Sequence, residues 1–263
     1  MDLGLAGRVA IIAASSRGLG RAVATELAAE GAEVALCARS AADLETAAES
    51  IRQATGREAF RQALDVSRAE DVERFVAAVE ARFGRVDICI TNAGGPPAKP
   101  FLDTSLDDWR AATDTLLMGT IHFARAVLPR MQQRRWGRLL TITSMSVKQP
   151  VENLMLSNSV RAAVAGLART LANEFGPYGI TVNNVCPGYT LTDRLQQLAE
   201  TVAGRSGITT EQVFERWSAE VPARRMGRPE EFAAMVAFLA SERAGYVNGV
   251  SITVDGGWVR SLL

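Results

Sequence analysis

Between the apolar run Val9–Ala13 and a helix-patterned stretch from Arg21 to Glu30 lies Ala14-Ser15-Ser16-Arg17-Gly18-Leu19-Gly20. Such a loop can hold phosphate. Gly18 and Gly20 let the backbone approach a pyrophosphate, while the unpaired N–H groups and positive dipole end of the following helix face the negative charge. Ala14 stands where such loops usually begin with glycine. A second apolar strand, Glu33–Ala38, follows about twenty residues on, where the residue at the strand end reads the ribose of a dinucleotide. That residue is Arg39, with Ser40 beside it and Arg17 contributed by the glycine loop. An acidic side chain would accept a ribose 2′-hydroxyl, whereas guanidinium groups bind a 2′-phosphate bidentately. The pattern therefore predicts NADP(H) rather than NAD(H).

The elements that must carry these residues alternate. Strand-like runs fall near 8–13, 33–38, 58–64, 86–91, 137–143, 180–185 and 250–254, with helical patterns between them. Such alternation specifies an α/β fold, a Rossmann-type doubly wound parallel sheet of about seven strands with helices on both faces. The 263 residues are 48% hydrophobic, and no linker composition divides them, so residues 1–263 are expected to form a single nucleotide-binding domain. Residues 186–228 break the rhythm with Pro187-Gly188, two short amphipathic stretches, Pro222 and Gly227-Arg-Pro229. An excursion at the carboxyl end of a strand is where a substrate lid sits.

Composition excludes several classes. A formal net charge of zero argues against a nucleic-acid partner, which needs surplus clustered Lys and Arg. Cys37, Cys89 and Cys186 lie in or beside apolar strands and are widely spaced, as suits reduced buried thiols and no metal site. No basic-then-apolar leader opens the sequence and no apolar run approaches about 18 residues, so a soluble cytoplasmic protein without membrane contact is expected.

Further motifs follow in order: Asp65-Val66, Thr91-Asn92-Ala93-Gly94-Gly95, Pro187-Gly188-Tyr-Thr-Leu-Thr192 and Val254-Asp255-Gly256-Gly257. Together with the glycine loop they resemble the short-chain dehydrogenase/reductase family in the form typical of 3-oxoacyl carrier-protein reductases, over nearly the whole chain. The resemblance implies that Ser15, Ser16, Arg17, Gly18, Leu19 and Gly20 cradle the cofactor and that Asp65 and Val66 meet the adenine. It likewise implies that Asn92, Ala93, Gly94, Pro187, Gly188 and Thr190 line the site, with Thr192 holding the nicotinamide carboxamide. Asp65 is also a good helix cap on its own account, and Asn-Ala-Gly-Gly a good turn.

At the catalytic positions the sequence departs from that family. Its reductases carry Ser, then Tyr thirteen residues on, then Lys four further, with an Asn from an earlier helix. Here Ser144 is present, Ser157 takes the tyrosine position, Arg161 the lysine position, and Leu116 the asparagine position. The family's tyrosine gives a proton to the nascent alkoxide, its pKa lowered by the lysine. Serine is shorter and a much weaker acid, so Ser157 reaches a substrate oxygen only through water. Arg161 can grip ribose hydroxyls and supply charge, but does not release its proton.

Other groups could have taken over. The only lysines are Lys99 and Lys148, both in loops at the expected rim, and Lys148 follows Ser144 by four residues. Lys148 is a candidate acid or anion contact, and also reads as a solvated loop lysine. Tyr189 is the one phenol expected near the nicotinamide, as donor or as packing in the substrate wall. His122, in helical surroundings, reads as packed, and Ser146 and Asn158 as able to orient water. Val213, Phe214 and Trp217 in the excursion suggest either an apolar pocket or helix packing.

Two functions stay open: a working NADPH-dependent oxidoreductase acting on a 3-oxoacyl-type or other small to medium carbonyl, and a weak or silent NADP(H)-binding sensor or partner subunit. The resemblance also implies a homotetramer pairing helices Leu106–Gln132 and Leu154–Phe175. Leu117, Ile121, Ala124, Val164, Leu167 and Leu171 suit that interface or a core.

Overall fold

The computed structural model describes residues 2–262. Seven strands, β1 (Val9–Ala13), β2 (Glu33–Ala38), β3 (Phe60–Ala63), β4 (Ile88–Thr91), β5 (Gly137–Ile142), β6 (Ile180–Pro187) and β7 (Ser251–Val254), form one sheet in the order 3-2-1-4-5-6-7. Every pairing is parallel. The inner strands β1, β4 and β5 are buried along their whole length because helices cover both faces, which is why they read as continuous apolar runs.

Strand alternation sends neighbouring residues to opposite layers. Ile12, Leu36, Ile90 and Leu140 meet α1 (Gly18–Ala29), α2 (Ala41–Thr55) and α9 (Pro229–Ala240) through Val23, Leu27, Leu44, Ile51 and Phe232. Ile11, Cys89, Leu139 and Val182 meet α3 (Ala69–Phe83), α5 (Gly119–Arg134) and α6 (Met155–Phe175) through Phe75, Val79, Phe123, Val127 and Ala168. Cys37, Cys89 and Cys186 are free thiols buried in β2, β4 and β6.

The chain winds from β1 outward through β2 to β3, then returns to place β4 on the other side of β1. This reversal opens a crevice at the carboxyl ends of the strands. The loops after β1 to β6 all end on that edge.

Two expectations about elements change. The run expected as one helix from Leu106 is α4 (Leu106–Ala112), a π-helical stretch Thr113–Met118 and then α5. The wide turn takes up an extra residue and buries Leu116, at a place where such turns recur near functional sites. Asp65 does not cap α3, whose N-cap is Arg68. It closes a tight turn upstream, taking Ser67 N–H at 3.0 Å and Ser67 Oγ–H at 2.8 Å on Oδ1. Among the described residues no helix is long and apolar enough to cross a membrane.

Candidate active site

The glycine loop is shaped by contact. A Cβ on Gly20 would lie 2.3 Å from the Ala14 carbonyl oxygen, so only glycine lets α1 start this close to β1. Gly18 takes φ +56°, and Ala14 is held at φ 49°, a left-handed conformation costing an alanine roughly 1–2 kcal/mol. Ser15 is spent on the scaffold: its Oγ–H donates to Ile12 O at 2.8 Å and its oxygen accepts Cys37 N–H at 3.2 Å, tying the loop to β2. Arg17 is the N-cap of α1 and makes no side-chain cap bond, so its exposed guanidinium and the first N–H groups of α1 share one edge with half-buried Ser16 and Leu19.

Arg39 is exposed just after β2, and its charge adds to the Ser67 bonds that hold the Asp65 carboxyl below its ordinary range. Ser40 accepts Asp43 N–H at 3.2 Å as the N-cap of α2, which aims a second helix dipole at the same corner. Val66 is pinned from two sides. A Cβ on Gly119 would come within 3.1 Å of its side chain, and His122 Nδ1–H donates to its carbonyl at 3.0 Å. His122 therefore braces the Val66 turn, in keeping with a packed histidine.

Beyond β4, Asn92 and Ala93 are half-buried, and a Cβ on Gly94 would meet nothing within 4 Å. That clear space runs along the crevice wall. Opposite, Gly188 packs so tightly on Asp255 that a Cβ would sit 2.6 Å from its Cα, and Gly188 N–H bonds Val254 O at 3.0 Å. Pro187 pairs with Val254 in the sheet. Thr190 is buried with Oγ–H on Gly188 O, and Thr192 caps α7 (Asp193–Ser206), its side chain 3.6 Å from where a Gly18 Cβ would be. The two glycine-bearing loops thus face one another across the crevice. Donors, clear space and exposed guanidiniums fit a phosphorylated dinucleotide.

The stretch with the candidate catalytic residues follows β5. Ser144 is half-buried, and its Oγ accepts Ser146 N–H at 3.1 Å. Ser157, on the first turn of α6, is buried with its Oγ 3.4 Å from Ser146 Oγ. Ser146 thus links the other two hydroxyls. Arg161, one turn further, is buried and donates to Ile142 O at 3.1 Å and Ala93 O at 3.5 Å. Burial pushes its pKa down to about 10, which leaves it cationic at neutral pH. Its guanidinium shares a small internal cavity with Leu116, Thr115 and Thr120.

Several candidates move away from chemistry. Lys99 bonds Asp108 Oδ2 at 2.8 Å, locking the loop to the start of α4. Tyr189 lies with its ring stacked on Trp217 at 4.8 Å and edge-on to Trp258 at 6.0 Å, and burial with nearby Glu220 raises its pKa, making it a poorer acid. Val213, Phe214 and Trp217 form a small core between α7 and α8 (Thr210–Glu220), so they close the excursion on itself. Asn158 bonds the Val151 backbone through both ends of its amide. Lys148 ends the turn after Ser144, and its ammonium makes no hydrogen bond or ion pair among the described residues.

Sequence reasoning missed Arg194 and Arg205 on α7, whose guanidiniums donate to Pro96 O at 2.8 Å and Ala98 O at 3.1 Å. Their eleven-residue spacing, three helical turns, was the available signal.

Known proteins resemble this chain over almost its full length. The family model described as enoyl-(acyl carrier protein) reductase matches residues 13–259. The chain is 34% identical over 253 residues to 3-oxoacyl-(acyl-carrier-protein) reductase FabG of Salmonella typhimurium, covering 95% of this chain and 97% of that one. It is also 34% identical over 249 residues to the short-chain reductase protein NovJ of Streptomyces niveus, covering 95% and 93%. The crystal structure of L-sorbose reductase from Gluconobacter frateurii, complexed with NADPH and L-sorbose, superposes with a TM-score of 0.94 at 33% identity and covers 100% of both chains. A glycine-loop crevice with Ser144 at its far end, together with these matches along almost the full length, shows that the chain belongs to the short-chain dehydrogenase/reductase family.

Proposed function

We propose that the protein is an NADPH-dependent oxidoreductase that reduces a 3-oxoacyl-type or other small to medium carbonyl compound, with the proton delivered by a non-standard route. The observation carrying this reading is the convergence of Arg17, Arg39, the two facing glycine loops and Ser144 on one crevice. NADPH supplies the hydride. Arg17, Arg39 and the N-terminus of α2 hold its 2′-phosphate, the start of α1 its pyrophosphate, and Thr192 and Ala93 flank its nicotinamide half.

The protein's own part is orientation and charge. Ser144 Oγ–H hydrogen-bonds the carbonyl oxygen, and the buried Arg161 cation stabilises negative charge developing there. Ser157, Arg161 and Leu116 take the positions where the family's reductases carry Tyr, Lys and Asn. The proton then comes from a water held by Ser144 and Ser157, or from the Lys148 ammonium. Losing only general-acid help costs about 10²–10⁴ in rate, which leaves slow reduction driven by orientation. The buried Ser146–Ser157 contact favours one other reading, a catalytically silent NADP(H)-binding partner or sensor.

Loss of NADPH absorbance with a panel of ketones, β-ketoesters, quinones and acyl thioesters tests the proposal. Turnover on any of them supports it, and turnover abolished by Lys148→Ala identifies the donor. Tight NADPH binding with no turnover selects the silent reading, and no binding of either nucleotide overturns both. A homotetramer is part of the proposal, since Leu117, Ile121, Leu167 and Leu171 remain half-exposed while Ala124 and Val164 are buried within the chain. Light scattering in solution reads that state directly.

A further inference from the structure

The loop Gly94-Gly95-Pro96-Pro97-Ala98-Lys99-Pro100 carries three prolines, which have no N–H to give, so its carbonyls have few local donors. On one side it is fixed: Lys99 bridges to Leu154 and bonds Asp108. On the other side it meets the excursion. Arg194 and Arg205 sit three turns apart on α7, hence on one helix face. They reach Pro96 O and Ala98 O at 2.8 and 3.1 Å. Glycine at 95 gives the first contact room, since a Cβ there would lie 3.1 Å from Arg194 Nε and the guanidinium would have to give by a few tenths of an ångström.

The excursion is tied to itself, and to the segment after β7 by Ala223 N–H on Gly256 O at 3.1 Å. Its two ends are zipped together where Gly227 N–H bonds Tyr189 O and Leu191 N–H bonds Gly227 O, each at 2.9 Å. Between them α7 and α8 share a core of their own around Ala199, Ala203 and Val213. The loop it grips begins at Asn92–Gly94, along the crevice wall, and Ala93 O is held from beneath by Arg161. The same loop is thus clasped from within by one arginine and from outside by two.

We propose that Arg194 and Arg205 are positioning residues forming a two-point latch, which holds the excursion shut over the cofactor crevice and sets how fast NADPH leaves. The inference rests on the cofactor reading above, though not on turnover. Stopped-flow release of NADPH, followed by nucleotide fluorescence, tests it on the full chain. The Arg194→Ala/Arg205→Ala double variant is expected to release NADPH about tenfold faster, the scale of losing exposed hydrogen bonds from charged donors. Arg194→Lys and Arg205→Lys, which keep the charge and a donor, are expected to fall in between. Arg216→Ala removes an exposed charge from α8 without touching the loop and should leave the rate unchanged.

Hydrogen exchange of residues 191–226 with NADPH bound gives an independent readout, slow in the parent and fast in the double variant. Equal release rates in parent and double variant, or an equal rise in Arg216→Ala, would overturn the latch. Absence of NADPH binding in the parent would instead overturn the cofactor reading. If the double variant fails to fold, the two Lys variants decide the question.

Discussion

The half of the crevice proposed to receive the adenine and the half proposed to receive the carbonyl are built by different means. On the adenine side, backbone does the work: the first N–H groups of α1 and α2, the left-handed turn at Ala14 and Gly18, and the close approach at Gly20. On the carbonyl side, the proposed chemistry rests on individual side chains, Ser144, Ser157 and Arg161, each held by one or two bonds. A backbone cradle tolerates few replacements because its shape is covalent. A side-chain site can change its groups and keep its architecture; here Ser157 Oγ lies 3.4 Å from Ser146 Oγ.

The sharpest way to break this contrast is to rebuild the carbonyl side. The triple change Ser157→Tyr, Arg161→Lys and Leu116→Asn is expected to raise kcat by about 10²–10⁴ while leaving NADPH affinity nearly unchanged. An unaltered kcat would show that proton delivery does not limit the reaction. Next in size, Arg39→Ala is expected to weaken NADPH binding by about 10–100-fold and leave NADH binding alone, as calorimetry with both nucleotides would reveal.

On the cradle itself, Gly20→Ala places a methyl against the Ala14 carbonyl and should cost about 1–3 kcal/mol, read as a lower Tm together with weakened NADPH binding. A Tm within error of the parent would mean that α1 can shift freely. The smallest effect concerns Asp65. Its carboxyl is held below the ordinary value of 3.8 by the Ser67 bonds, then by Arg39 and Arg68, against the opposing effect of burial. A depressed carboxylate contributes stability that is complete above its unfolded value and lost as pH falls through the lower folded one. Asp65→Asn should therefore flatten the acid limb of a stability–pH curve below pH 3.8 by less than about 1 kcal/mol, after solvent screening.

How much was legible in the sequence follows the same division. Strand periodicity and the glycine spacing act locally, so the seven-strand sheet and the tight turn into α1 could be read directly. Counting on from Ser144 found Ser157 and Arg161, because both lie at the start of a single helix. What stayed hidden depends on contacts between distant segments. In the sequence Val213, Phe214 and Trp217 leave a pocket and helix packing both open, and they pack with α7, since which side of α8 turns inward is decided by a neighbouring helix. Lys99 reads in the sequence only as a lysine of a rim loop, and its partner Asp108 comes from the next helix. The π-helical stretch at Thr113–Met118 has no pattern of its own, since one inserted residue leaves the apolar spacing almost intact.

The three thiols, in the second, fourth and sixth strands, divide the sheet into thirds, and none is accessible to solvent in the closed fold. Burial keeps their pKa values high, so alkylating reagents have neither a route nor a thiolate to attack. Each sulfur is therefore a silent marker for its own part of the molecule. The order in which they become labelled in dilute denaturant would report which segment of the sheet opens first.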